Sequence, residues 1–161
     1  MDKKANIAHL LSVLDEMSPG GFAIALHIRS AAPAFLFQTF PIKWVDYYSQ
    51  HGLVLKDPAM RWAFDHSGTI RWRDLTDDDP YGVMQQAKRH GLSYGFTHSI
   101  RVEKSRSVSG FARGDRDYLD IEIDEIGKKL HELHAATDQL TALSEADADA
   151  LKQMSIRMTH T

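Results

Sequence analysis

Trp44, Tyr48, Asp57 and Trp72 fall within one stretch, Phe40 to Trp72, that holds all three tryptophans of the 161-residue chain. Tryptophan and tyrosine bury a ring while an N–H or O–H keeps a partner. They suit either a core with one polar neighbour or a pocket for a ligand with few polar atoms. Asp57 supplies an acceptor beside them, and because it precedes Pro58 it also marks a helix N-terminus. A carboxylate has two oxygens, so it can cap a helix with one and accept from a ligand with the other. Taken singly, each aromatic residue is explained equally well by packing.

Other constellations carry less chemistry. Gly91-Leu92-Ser93-Tyr94-Gly95 matches the G-x-S-x-G of serine hydrolases, with Asp120 and His131 following in order. A nucleophile elbow leaves a strand and enters a helix, whereas here a helix precedes a strand, so Ser93 is a poor nucleophile candidate and no catalytic residue is assigned. His131 and His134 lie one turn apart in HELH, which lacks the zinc-protease spacing and reads as solvated helix. The remaining histidines, His9, His27, His51, His66, His90, His98 and His160, stand singly. Asp77-Asp78-Asp79-Pro80 lacks the spaced acids of a calcium loop, and Asp79 reads as an N-cap. No cysteine is present for disulfide or thiolate chemistry. No metal or cofactor is expected.

The elements that position these residues follow from periodicity. Ile7, Leu10, Leu11, Leu14 and Met17 mark a first helix. Phe22 to Arg29 alternates, placing Ile24, Leu26 and Ile28 on one face and the small Ala23 and Ala25, with His27, on the other. That narrow face leaves room for a ligand or for a closely packed helix. Ala34 to Gln38 makes a partner strand. Two helices follow, Ile42 to His51 closed by Gly52, and Pro58 to His66; Thr69 to Trp72 then reads as a strand. A helix carrying Val83, Met84 and Ala87 ends at Gly91, and Tyr94 to Val102 with Arg106 to Arg113 form a hairpin. Leu119, Ile123, Ile126, Leu130, Leu133, Thr137 and Leu140 form a near-heptad stripe, either a subunit seam or a cover for the chain's own sheet. The pattern predicts an α+β fold, an α-β-α sandwich with the sheet in the middle.

The spacing of Trp44, Tyr48 four residues on, Asp57-Pro58 nine further and Trp72 fifteen further resembles the autoinducer-binding domain of LuxR-type quorum-sensing regulators. Ala87, Gly91, Leu92 and Gly95 continue the match, similar to that family's A-x-x-x-G-L-x-x-G segment. The resemblance implies a central antiparallel five-stranded sheet, with an acyl-homoserine lactone held between it and the helices carrying Trp44 and Asp57. It implies that Trp44 Nε1–H donates to the lactone carbonyl, Asp57 accepts from the amide N–H, Tyr48 donates to the amide carbonyl and Trp72 packs on the lactone ring. Ser109 and Thr97 are hydroxyls able to read an oxygen on the acyl chain. Phe40 stands where many members carry a tyrosine, which removes a hydroxyl from the site. Ser99 stands where the family usually has a proline, and the segment between Trp72 and Gly91 is short.

The whole chain carries a formal charge of -3, which gives no basic footprint for nucleic acid. No signal peptide or membrane span is evident, so a cytoplasmic location is expected. Residues 1-140 read as the sensing domain. Residues 141-161 read as a linker and the incomplete start of a helix-turn-helix domain, since Leu143 to Leu151 resembles the opening of that domain in the family. A homodimer is expected, with DNA bound only by a form carrying a complete helix-turn-helix. The alternatives are a truncated partner that inhibits full-length regulators by dimerising with them, and a small hydrolase using Ser93.

Overall fold

Helix α1 (Lys3–Glu16) buries Ile7, Leu10, Leu11 and Leu14, the stripe its spacing predicts. The computed structural model describes residues 3–28 and 33–138. Strands β1 (Phe22–Ile28) and β2 (Phe35–Gln38) follow, then α2 (Ile42–Gln50) and α3 (Pro58–Asp65). Between these helices Gly52 takes the left-handed conformation, φ 60°, and leads into a 3-10 turn at Leu53–Leu55. The chain continues through β3 (Gly68–Arg71), a 3-10 segment at Trp72–Asp78, α4 (Val83–Arg89), β4 (Tyr94–Val102), β5 (Ser105–Arg113) and α5 (Asp120–Asp138). Trp72 therefore begins a 3-10 segment rather than ending a strand. Asp79 caps α4 from further upstream than a simple N-cap: its two carboxylate oxygens accept from Val83 N at 2.9 Å and Met84 N at 2.8 Å.

The five strands pair antiparallel in the order β2-β1-β5-β4-β3. On one face Phe22, Ile24, Leu26, Phe96, Ile100 and Phe111 pack against the buried stripes of α1 and α5. On the other, Trp44 of α2 and Val83 and Ala87 of α4 pack with Ala112, while Ala63 of α3 packs with Ile28 and Val108. This is the expected α-β-α sandwich. The α5 positions Ile123, Ile126, Leu130, Leu133 and Thr137 are buried under their own subunit's sheet, which settles their stripe as a core face rather than a subunit seam. Leu140 and the segment from Leu143 lie outside the described residues. No helix among those described is long and apolar enough to cross a membrane.

Strand β1 departs from simple alternation. Its register against β5 shifts between Ala25 and Ile28, and His27 adopts φ 56° at the irregularity. The bulge exchanges the last two side chains between faces. Ile28 joins Ala63 and Val108 on the α3 side, and His27 turns under α5. Ala23 and Ala25 keep their predicted face.

Candidate functional site

Asp57 stands where α3 begins. Its Oδ1 accepts from Ala59 N at 2.9 Å, the cap that Asp-Pro predicts, and its Oδ2 accepts from Tyr48 Oη at 2.8 Å. The side chain thus divides its two oxygens between a helix and a neighbouring helix's hydroxyl. Burial pushes the Asp57 carboxyl above its ordinary value, opposed by the hydrogen bonds from Tyr48 and Ala59. The Tyr48 hydroxyl is pushed up as well, first by burial and then by the Asp57 charge. A half-buried carboxylate with incomplete compensation gains from any further N–H donor that reaches it.

Helix α2 brings the aromatic rings to this acid. Trp44 and Tyr48, one turn apart, meet edge to face at 5.6 Å between centroids, and Trp44 also contacts Tyr47 and His90. Trp44 is buried, whereas Tyr48 is half-buried. Phe40, just ahead of the helix, packs on the same cluster. The structure therefore gathers Phe40, Trp44, Tyr48 and Asp57 as the spacing suggested. His90 was not a candidate, because its approach across the fold from α4 leaves no local signal.

Trp72 lies over the sheet. Its Nε1–H donates to Thr97 Oγ1 at 2.9 Å, and a Cβ added at Gly95 would come within 2.5 Å of its ring. Only glycine lets the indole lie this close to β4. Arg71 secures the neighbouring backbone, its Nη1 donating to Tyr118 O and its Nη2 to Asp120 Oδ1, each at 2.6 Å. Thr97 pairs in register with Gly110 and shares the face of Trp72. Ser109 does not. It lies opposite Ile24 and His98, on the face covered by α5, and so stands apart from the other candidates. An open hollow of about 420 Å³ is lined by Trp72, Met84, Leu92 and Gly95 with the polar Arg73 and Lys88. Trp44, Tyr48 and Asp57 do not line it; Trp72 and Leu92 belong both to the hollow and to the aromatic cluster.

Arg106 is a residue to which sequence reasoning gave no role. From β5 its Nη1, with two hydrogens to donate, lies 2.6 Å from Ala63 O, 2.7 Å from His66 O and 2.7 Å from Ser99 Oγ, and Ser99 Oγ donates to Ala63 O at 2.8 Å. These contacts hold the C-terminal turn of α3 to the sheet.

The far side of the sheet holds a second polar group. His27 and His134, read from sequence as a lone histidine and a solvated one, are both buried with ring centroids 4.3 Å apart. His27 Nε2 lies 2.9 Å from His134 O and from Thr137 Oγ1, and His134 Nδ1 lies 2.7 Å from Ser107 Oγ. His98 Nδ1 lies 2.7 Å from Thr69 Oγ1, and its Nε2 lies 3.3 Å from His131 Nε2. Burial first, and then a neighbouring histidine, pulls His98 and His134 down to about 4. His131 is an exposed residue of α5 that reaches only the rim of this group, while Ser93 borders the hollow beside Trp72 on the other face of the sheet. Ser93 also follows α4 and precedes β4, the helix-to-strand order that an elbow does not have.

The model of the autoinducer-binding domain matches residues 9–141. The transcriptional activator protein LuxR of Aliivibrio fischeri is 27% identical over 88 residues, 51% of this chain and 35% of LuxR. The crystal structure of Escherichia coli SdiA superposes with a TM-score of 0.69 at 19% identity, over 88% of this chain and 63% of that one. The structure of SdiA in complex with octanoyl-rac-glycerol gives a TM-score of 0.67 at 16% identity, over 88% and 61%. The matched part of this chain thus spans about a third of LuxR and under two thirds of the SdiA chains.

Proposed function

This chain belongs to the autoinducer-binding domain family, and on that premise we propose that it senses an acyl-homoserine lactone for a LuxR-type transcriptional regulator. The observation that carries the ligand class is the Asp57 carboxylate, shared between Ala59 N and Tyr48 Oη, whose ring meets Trp44 edge to face. An acyl-homoserine lactone offers one amide N–H, two carbonyl oxygens and an apolar tail. In the proposed complex Tyr48 Oη turns its one proton from Asp57 Oδ2 to the amide carbonyl, Asp57 Oδ2, so released, accepts the amide N–H, and Trp44 Nε1–H donates to the lactone carbonyl. Trp72 packs on the lactone ring. Thr97, whose oxygen already accepts from Trp72, keeps its own O–H to donate to an oxygen on the acyl chain. Phe40 contributes only its ring, so this site works with one hydroxyl fewer than a tyrosine there would give. Ser109 has no part in the scheme, because it faces α5.

Signal output, by this reading, runs through a DNA-binding part and a homodimer in a cytoplasmic regulator. The dimer surface would differ from the α5 stripe, which the core already occupies. Expression with and without lactones, followed by mass spectrometry of the denatured protein, tests the ligand class. Retention of intact lactone is the expected result. Retention of an acylglycerol in preference to lactone, or hydrolysed lactone dependent on Ser93, would replace the reading.

A further inference from the structure

Trp72 stands between two arginines that reach the same short segment of chain. Arg71 pairs with Phe96 in the register of β3 on β4, and residues directly opposite in a sheet share a face. Phe96 belongs to the core beneath α1 and α5, so Arg71 points toward α5. Trp72, the next residue, lies on the opposite face with Thr97 and the aromatic cluster. One backbone step thus joins the two layers at β3, an edge strand of the sheet. On the α5 side the Arg71 guanidinium, on a side chain 14% exposed, donates from Nη1 to Tyr118 O and from Nη2 to Asp120 Oδ1, and its Nη1 also lies 3.1 Å from Asp117 Oδ1. Arg73 takes the other oxygen of that carboxylate, its Nη1 donating to Asp117 Oδ2 at 3.2 Å. Asp117 is therefore held by the residues on either side of Trp72.

The segment so held is the entry of α5, whose first residue is Asp120. Its backbone is built on side-chain acceptors: Asp117 Oδ1 accepts from Tyr118 N at 2.8 Å, and Glu122 Oε1 accepts from Leu119 N at 2.7 Å. Tyr118 is anchored in the core, its ring edge-on to Phe96 at 4.9 Å between centroids and its hydroxyl 2.7 Å from Ser18 Oγ. A guanidinium largely out of water loses its compensation if these acceptors part from it, so a shift at residue 71 is passed to the helix entry rather than absorbed by solvent. Resting on the lactone-sensing reading, we propose that Arg71 is a positioning residue that couples ligand contact at Trp72 to the first turn of α5. A ligand packed on Trp72 orders the end of an edge strand of only four residues, and Arg71 extends that order to Tyr118 and Asp120. The sensing face and the α5 face of the sheet are thereby linked through one side chain.

Amide hydrogen exchange followed by NMR, with and without the tightest-binding of hexanoyl-, octanoyl- and decanoyl-homoserine lactone, tests this. Tyr118, Leu119 and Ile123 report the entry of α5, because each amide is hydrogen-bonded there, and the buried Leu10 and Leu11 of α1 report global opening. In the wild type, lactone should slow the three entry amides by at least about fivefold beyond any slowing at Leu10 and Leu11, the lower end of usual coupling between sites. Arg71→Gln should still bind lactone but abolish that excess. Asp120→Ala, which removes a partner whose side chain is 96% exposed and leaves the core alone, should reduce the excess by less, and it decides if Arg71→Gln fails to fold. A role in stability alone would speed exchange equally with and without lactone, so an unchanged excess in the variants overturns the coupling. A wild-type entry indifferent to bound lactone overturns it too, and leaves sensing intact. Absence of binding at every length overturns the sensing reading, and the coupling with it.

Discussion

Asp57 is the residue on which the proposed ligand recognition turns, and its two roles, cap and proposed acceptor, separate by experiment. Asp57→Ala removes the acceptor for the amide N–H and the cap on Ala59 together. Loss of a charged acceptor in a half-buried site costs about 1.5–3 kcal/mol, roughly tenfold to two hundredfold in affinity. Calorimetric titration should show that loss, and denaturant unfolding without ligand should show a separate cap loss of about 1 kcal/mol. An unchanged dissociation constant would remove Asp57 from the site. Tyr48→Phe leaves the cap alone but deletes the donor to Oδ2, so the Asp57 carboxyl, already raised by burial, should titrate still higher. Carboxyl carbon chemical shifts followed against pH measure this; a fall would contradict the hydrogen bond. The cap was legible in the sequence because Asp-Pro is a local signal. The Tyr48 contact was not, since it depends on how two helices cross the 3-10 turn at Leu53–Leu55.

Elements add constraints that no single residue shows. The close seat of Trp72 on β4 exists because position 95 lacks a side chain, so Gly95→Ala would drive a methyl to 2.5 Å from the indole and 2.7 Å from Phe111 O. Such overpacking costs about 1–3 kcal/mol and should displace Trp72, lowering lactone affinity along with stability. Tryptophan fluorescence and a melting curve report the two effects, and an unperturbed variant would show that the ring yields freely. The histidines beneath α5 carry a different dependence. The fold holds His98 and His134 near 4 against an ordinary 6.5, so their neutral forms contribute stability that is complete above about 6.5 and lost as pH falls from there toward 4. Each shift of this size corresponds to about 3 kcal/mol. His134 Nε2 is buried with no hydrogen-bond partner among the described residues, and this leaves an added proton nothing to bond. Unfolding free energy measured across that window should fall with acid, and His98→Gln should flatten part of the slope; a flat wild-type profile would contradict it. Helix α5 was legible from its stripe, but not which face its histidines took. The bulge at His27 turns that residue toward α5, and period-two reading cannot foresee a left-handed residue in mid-strand.

At the scale of the molecule, periodicity and punctuation were enough to read the sandwich, because each layer buries a continuous apolar stripe against the sheet. The site was legible in part. Trp44, Tyr48 and Asp57 converge because consecutive helices carry them, and Thr97 joins Trp72 through the register of β3 on β4. Ser109 was misplaced by a choice of face, a one-bit error that side-chain type does not resolve and register does. Arg106 escaped notice because its partners are backbone carbonyls some forty residues earlier in the chain, at positions 63 and 66. The aromatic cluster and the hollow share Trp72 and Leu92, so a ligand bound among the α2 and α3 side chains would tie together α2, α3, α4 and the sheet. Binding that native cluster and not the unfolded chain raises stability by mass action, about 2.7 kcal/mol at a ligand concentration one hundred times the dissociation constant. Each methylene of a bound ligand that is buried against apolar side chains adds up to about 0.8 kcal/mol to affinity. Thermal melts with a panel of lactones of different lengths should therefore show an upward shift in Tm for those that bind. Ser93→Ala should leave this response intact, since Ser93 follows α4 and borders only the hollow. A Tm indifferent to every lactone would separate the fold from its proposed ligand.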